Sequence, residues 1–321
     1  MFRKTFVLTL LIALLIGCAP AQTTPIVDSA PTEIPATDIV ATEAAAESLT
    51  FTDGLGREVT LTAPAQRVVS LAPSNTEILF AVGAGDQVVG RDEFSDYPAE
   101  ALNIDSVGGS MGEYSAEAIV ALEPDLVLAA EINTPELVSQ LEGLGLTVYY
   151  LSNPTTLEEM YTNLEIVGDL TGHDATELVD SLKARVAVVD EKIAPISSRP
   201  SVFYEIDASD PTKPWTYGPG TFGTLLIERA GGYNIASELD GYPQISLEEI
   251  VAADPALIIL GDSMWGVTPE SVATRPGWEN LSAVKNGNVL PFDDNLVSRP
   301  GPRLVDGLEA LAKLLRPELF Q

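Results

Sequence analysis

Cysteine occurs once, at position 18, and histidine once, at position 173. One cysteine excludes an internal disulfide in any compartment, one histidine cannot build a His-based metal cage, and its place at the start of a long helical pattern sets aside a Ser-His-Asp triad. Basic residues are scarce as well, 17 Lys and Arg against 47 Asp and Glu, for a formal charge of -30. That balance argues against nucleic acid as a partner and against close adhesion to anionic lipid. Nucleotide fingerprints are missing. Gly83-Ala84-Gly85 follows a helical pattern rather than a strand and puts Val88 where a third glycine would stand, so it is no dinucleotide site. Gly218-Pro219-Gly220 lacks the Lys-Ser/Thr of a P-loop. The apolar run 5–16 is too short to span a bilayer by itself, and no local carboxylate spacing marks a glycosidase.

That short run lies behind Arg3 and Lys4 and ends in Leu15-Ile16-Gly17-Cys18. The segment 1–18 has the plan of an export signal, and its end resembles the bacterial lipobox. The resemblance implies that Cys18 becomes the lipidated first residue of the mature protein. Residues 19–48 follow, made of Ala, Thr, Pro and acidic residues without aromatic, Lys or Arg. Such a stretch buries too little surface to offset chain entropy, so a disordered tether is expected. The remainder, 49–321, is long enough for two ordinary domains, and 45% hydrophobic residues suffice for a core.

One stretch is stated twice. Ser115-Ala116-Glu117-Ala118-Ile119-Val120-Ala121 with Pro124 and the strand-like 126–128 returns as Ser246-Leu247-Glu248-Glu249-Ile250-Val251-Ala252 with Pro255 and 257–259. Each copy reads as a serine-capped helix, a proline stop and a buried β-branched run, the α-to-β half of a parallel βαβ unit. The copies stand 131 residues apart, too far for a solenoid repeat and about the size of a small domain. At about 100° per residue, Glu117 points away from Ile119 and Leu122, and Glu248 away from Ile250 and Ala253. Helix-dipole and capping effects alone explain one such glutamate. Two in register, one per copy, suggest a paired docking feature.

Around these copies β and α alternate. A hairpin is expected at 49–52 and 57–61, strands at 67–71, 87–90, 104–107, 147–151, 201–206 and 288–292, and helices at 135–144, 157–170, 221–230 and 302–315. Between the halves, Leu178, Leu182, Val186, Val189 and Ile193 are spaced by four, four, three and four, marking one long helix over 174–193. Twenty residues reach about 30 Å, enough to bridge two lobes. The fold class is α/β: two Rossmann-like lobes with mostly parallel sheets, 49–172 and 196–321, bridged by a helix within 173–195, with a ligand cleft between the lobes.

The lipobox, the acidic tether, the strand–Pro73-Ser74-Asn75-Thr76-Glu77–helix passage, Phe94-Ser95-Asp96-Tyr97-Pro98, both glutamate copies and Arg299-Pro300-Gly301-Pro302-Arg303 together resemble the solute-binding lipoproteins of ABC importers for cobalamin, iron siderophores and haem. The resemblance implies two lobes joined by one rigid helix and one glutamate per lobe, here Glu117 and Glu248, engaging arginines of a permease dimer that works with its ATPase. It also implies a monomer, exported and lipid-anchored on the outer face of the cytoplasmic membrane, touching the membrane through its N-terminal lipid only. No cofactor, enzyme activity or resident metal is implied; the metal chelate is cargo.

The cleft is expected where strand ends of both lobes converge. Its candidate lining is Pro73, Ser74, Asn75, Phe94, Met111 and Tyr114 from the first lobe, with Trp215, Tyr217, Tyr242 and Trp265 from the second. Flat aromatic faces suit a macrocycle or a catecholate. Arg299 is a candidate for a ligand's negative charge, and so is Arg303, with a surface ion pair as the alternative role. The lack of nearby His and Cys mildly favours a saturated chelate recognised by shape, cobalamin or a ferric siderophore over haem. An exported hydrolase or chelate-modifying enzyme using cleft carboxylates is the competing function.

Overall fold

Short Val, Leu and Ile runs without alternation become the central strands, as they must when both faces of a parallel sheet are covered. The computed structural model describes residues 48–320, the Met111 side chain excepted, all within the unit Ala46–Gln321. Cys18, the signal segment and the tether up to residue 47 lie outside the described residues.

The first half runs β1 (Leu49–Thr52), β2 (Glu58–Leu61), β3 (Val68–Ser70), α1 (Pro73–Ala81), β4 (Val88–Arg91), α2 (Ala116–Ala121), β5 (Leu126–Ala130), α3 (Pro135–Gly143), β6 (Val148–Leu151) and α4 (Leu157–Thr171). After α5 (Thr176–Ile193) come β7 (Ser201–Glu205), α6 (Phe222–Arg229), β8 (Tyr233–Asn234), α7 (Leu247–Ala253), β9 (Leu257–Leu260), α8 (Pro269–Ala273), α9 (Ser282–Lys285), β10 (Val289–Pro291), α10 (Asn295–Ser298) and α11 (Leu304–Leu315). The strands β1 and β2 pair as an antiparallel hairpin. The other strands form two parallel sheets, ordered β4-β3-β5-β6 and β8-β7-β9-β10 when read from equivalent edges. Each lobe is therefore wound on the same plan.

Local signals account for most element ends. Ser115, Thr134, Thr156, Thr221 and Ser246 each accept a backbone N–H of the first helical turn. Ser246 adds a reciprocal capping box with Glu249. The repeated unit matches down to its exit: the two non-glycine residues with positive φ among those described are Glu123 (46°) and Asp254 (40°), equivalent by the same 131-residue offset and each followed by proline.

The long helix starts at Thr176, two residues later than the apolar spacing suggests. The Asp174 carboxylate accepts the Thr176 N–H at 2.9 Å and turns the chain before the helix begins. Its stripe Leu182, Val186, Val189 and Ile193 is buried, and Leu178 is half-buried. The expected strand at 104–107 is not formed. A 3₁₀ turn over Ala99–Asn103 leads into a single parallel bridge, Arg91 to Ser106, in which Arg91 N–H donates to Asp105 O at 3.1 Å and Val107 N–H to Arg91 O at 2.9 Å, while Ile104 O is taken by the Arg91 side chain and does not extend the ladder.

Three apolar clusters result. Two are private, one beneath α2 and α3 and the other around Phe203, Ile250 and Trp278. The third runs unbroken from Val68, Leu79 and Met160 through the α5 stripe to Tyr204, Leu226 and Leu308. A close-packed core of this kind transmits strain rather than yielding, so the lobes are fixed to one another along α5.

Candidate functional site

In each sheet the direction of winding reverses beside the first strand of the lobe, between β3 and β5 and between β7 and β9. Ligands of open α/β sheets collect beyond the strand ends at such a reversal. A cleft of about 480 Å³ lies there, lined by Ser74, Ala130, Glu131, Ile132, Asn153 and Thr155 from the first lobe and by Gly220, Tyr242, Ser298 and Pro300 from the second. The volume falls in the roughly 300–1,000 Å³ range of small-molecule sites.

The first-lobe wall is held by hydroxyls and amides around one buried carboxylate, Asp92. Beyond β3, the hydroxyls of Ser70, Thr76 and Ser95 form a buried chain with 2.8 Å links. Asn133, just past β5, accepts the Ala130 N–H at 2.7 Å and donates to Leu71 O and to the Tyr114 hydroxyl. The Tyr114 hydroxyl in turn sits 2.7 Å from Leu71 O and 2.9 Å from Asp92 Oδ2. Burial, then the Asp92 charge, pushes that phenol well above its usual range, so it keeps its proton. Gly109 has φ 117°, and a Cβ there would stand 1.9 Å from Asp92 Oδ2; the buried carboxylate requires a glycine. Asp92 also accepts the Phe94 N–H at 2.8 Å, which fixes the turn that presents the exposed Phe94 ring.

The second-lobe wall rests on an aromatic ladder. Tyr204 on β7 meets Tyr217 edge-on at 5.0 Å, and Tyr217 meets Tyr242 at 5.7 Å. Both inner hydroxyls donate to Asp294 Oδ1 at 2.9 Å. Burial, reinforced by that carboxylate, raises both phenols. Only Tyr242, 59% exposed, delivers its face to the cleft.

Deeper in the same lobe, Glu205 at the end of β7 is fully buried and takes both amino groups of Arg275, at 2.6 and 2.9 Å. Asp262, past β9, is pushed up to about 7, by burial first and the Glu205 charge second, and one of its buried oxygens has no partner.

Several expected lining residues are placed elsewhere. Tyr114 does not parallel Tyr242, because its hydroxyl is consumed inside the lobe. Tyr217 is 2% exposed and supports the cleft from beneath. Asn75 is buried; its amide donates to Leu128 O at 3.0 Å, and it borders only a small recess below the cleft. Pro73 opens α1 and is half-buried. Ser74 and Tyr242 do share the cleft. Phe94, Trp215 and Trp265 are exposed on loops after β4, β7 and β9 without lining it. Met111 lies in a 3₁₀ turn, and its side chain is outside the described set.

Arg299 is not a free cation. It donates to Glu77 Oε1 at 3.1 Å, to Asp96 Oδ1 at 2.6 Å and to Phe94 O at 3.3 Å. Arg303 holds the same Glu77 through two bonds, 2.8 and 2.5 Å, and covers the Tyr97 ring at 4.0 Å. One first-lobe carboxylate, 1% exposed, is thus clasped by two second-lobe guanidiniums. A second groove, of about 430 Å³, borders this clasp and α5, but its arginines are engaged as well, Arg303 with Glu77 and Arg185 with Asp306 and Glu309.

Spacing alone failed to indicate most of the lining, among it Glu131, Ile132, Asn153, Thr155, Ser298 and Pro300. Glu131 and Ile132 follow β5 directly, so the strand-end rule applied to β5 as well as β3 points to them. Glu117 and Glu248 are both exposed in the first turns of α2 and α7, and neither has an ion-pair partner among the described residues. Among the described residues, no cluster of three His, Cys, Asp or Glu suits a metal ion, and no helix is long and apolar enough to cross a membrane.

A two-lobed body around a cleft, with its lobes joined by one helix, is the architecture of binding proteins. Residues 68–296 match the model of the periplasmic binding protein family. The chain belongs to that family. Within it, the chain is 35% identical over 263 residues to an uncharacterized ABC transporter substrate-binding lipoprotein of Bacillus subtilis, covering 80% of this chain and 82% of the relative. It is 31% identical to the vitamin B12-binding protein of Vibrio cholerae, over 79% of this chain and 90% of that one. The periplasmic haem-binding protein RhuT of Roseiflexus superposes with a TM-score of 0.70 at 25% identity, over 79% of this chain and 98% of that one. This periplasmic binding protein is therefore a substrate-binding component of an ABC importer and not an enzyme, which removes the hydrolase reading.

Proposed function

We propose that this binding protein captures a metal chelate, a corrinoid or a ferric siderophore, in the cleft between Ser74–Glu131 and Tyr242–Ser298, and delivers it to a permease dimer through Glu117 and Glu248. The observation that carries the cargo reading is the cleft, where an exposed tyrosine face stands opposite small polar side chains at the strand reversal. Relatives named for vitamin B12 and for haem support it.

The docking reading rests on register. Two exposed carboxylates in equivalent first turns, one per lobe, can meet two equivalent arginine sites on a two-fold partner and so fix orientation as well as affinity. Close charge pairs at interfaces couple by roughly 1.5–7 kcal/mol. Residues 49–172 and 196–321 act as the lobes and 173–195 as the bridge, with the body a monomer. Cys18 carries the lipid, and 19–48 is the leash that leaves the body free outside the cytoplasmic membrane.

The test has two parts. Titration with cyanocobalamin and with ferric trihydroxamates raises apparent stability by about 2.7 kcal/mol at a hundredfold excess over Kd. Glu117→Ala combined with Glu248→Ala leaves that shift intact and lowers uptake by cells; uptake at the unsubstituted rate refutes the docking assignment.

A further inference from the structure

We propose that the cleft selects its cargo by the sign of charge, admitting a neutral or cationic chelate and excluding an anionic one, and that Glu131 is the residue that sets the sign. The proposal rests on reading the cleft as a chelate site, and it adds which chelates that site accepts.

Glu131 is the one charged residue among the cleft-lining set, exposed directly beyond β5. Its field reaches the opposite wall: the Tyr242 phenol is raised by burial first and by the Glu131 charge next. No described lysine or arginine lines the cleft to balance it. The second-lobe arginines described above are engaged elsewhere. Arg299 is taken by Glu77 and Asp96, Arg303 by Glu77, and Arg275 by Glu205. Lys213, on the loop that carries Trp215, is not among the residues lining the cleft.

An anionic chelate entering this space would lose hydration beside a like charge and meet no charged donor in return. Like-charge juxtaposition is an effective way to reject the wrong ligand. A neutral complex fringed with amides, or a cationic one, instead offers N–H donors to the carboxylate, and such charge-assisted bonds are the strong ones. The surrounding chain, at a formal -30, adds to the same bias.

The experiment measures Kd for four probes on the purified protein: neutral cyanocobalamin, a cationic ferrioxamine, haem with its two carboxylates, and a trianionic ferric tris-catecholate. Measurements at low and high salt separate charge from shape, since screening weakens the former. We expect a neutral or cationic probe to bind and both anionic probes to bind at least tenfold more weakly. Glu131→Gln should narrow that ratio at least threefold and reduce its salt dependence, and Glu131→Lys should narrow it further. The change for one probe between the parent protein and Glu131→Gln cancels differences of shape among probes, and an unchanged melting temperature confirms an intact fold. An anionic probe bound as tightly as the best neutral one, or a ratio unmoved by Glu131→Gln, overturns the charge rule while leaving the chelate reading in place. Failure of all four probes to bind overturns both.

Discussion

The two lobes share strand order, capped helix, left-handed exit residue and proline, yet the chemistry beneath their cleft walls differs. At the end of β3 the first lobe is braced by hydroxyls and amides, Ser70, Thr76, Ser95, Asn133 and Tyr114, with Asp92 as the carboxylate among them. At the end of β7 the second lobe buries Glu205 against Arg275, keeps Asp262 beside them, and hangs two tyrosines on Asp294. Winding therefore fixes where a wall stands and leaves open how it is held. A network built mostly of hydroxyls and amides loses little with any one member, whereas a buried ion pair answers strongly to the loss of a partner.

That contrast can be broken at its strongest point first. Arg275→Met leaves Glu205 buried without a counter-charge and should cost roughly 3–5 kcal/mol in urea unfolding, most of it recovered in the double variant with Glu205→Gln. A loss below 1 kcal/mol would mean that water reaches the pair. Next is the joint between the lobes. Glu77→Gln frees two guanidiniums that are 12% exposed, and about 2–4 kcal/mol should be lost, less than at Glu205 because these arginines keep some solvent and Arg299 keeps Asp96.

The third prediction concerns pH and belongs to the second lobe. Folded Asp262 holds its proton up to about 7, against 3.8 for the free side chain, so folding binds a proton between those values. Its contribution to stability is therefore best at the acid end and falls as pH rises from about 4 to 7. Asp262→Asn should remove that decline, so the difference between parent and variant melting temperatures grows with pH up to about 8 in the variant's favour. A flat difference refutes the assignment. The smallest effect is expected in the first lobe. Tyr114→Phe removes one hydroxyl from a network that can partly close up, and about 1–2 kcal/mol should be lost with no change in chelate affinity. A large loss of affinity would restore Tyr114 to the cleft.

Much of the frame was legible along the chain. Caps at Ser115 and Ser246, the stripe from Leu182 to Ile193 and the unalternating strands 126–130 and 257–260 are local patterns that backbone geometry enforces. The strand expected at 104–107 shortens to one bridge at Ser106, because Ile104 O is taken by the Arg91 side chain, a partner that no local period announces. Aromatic residues were the least legible. Tyr114, Tyr217 and Tyr242 look alike in sequence, but their fates depend on partners such as Asp92 and Asp294, which no local period connects to them.

The sequence by itself determined two parallel α/β lobes, the helix between them, the paired outward glutamates and the lack of an internal disulfide, since periodicity, capping and composition act over a few residues at a time. Tertiary structure alone decided which side chains reach the cleft, that Glu131 stands there as its charge, and that Arg299 meets Glu77, 222 residues away. An ion pair or a cavity wall is made by chain segments brought together only by packing of the core, and nothing within either segment records the partner it will find.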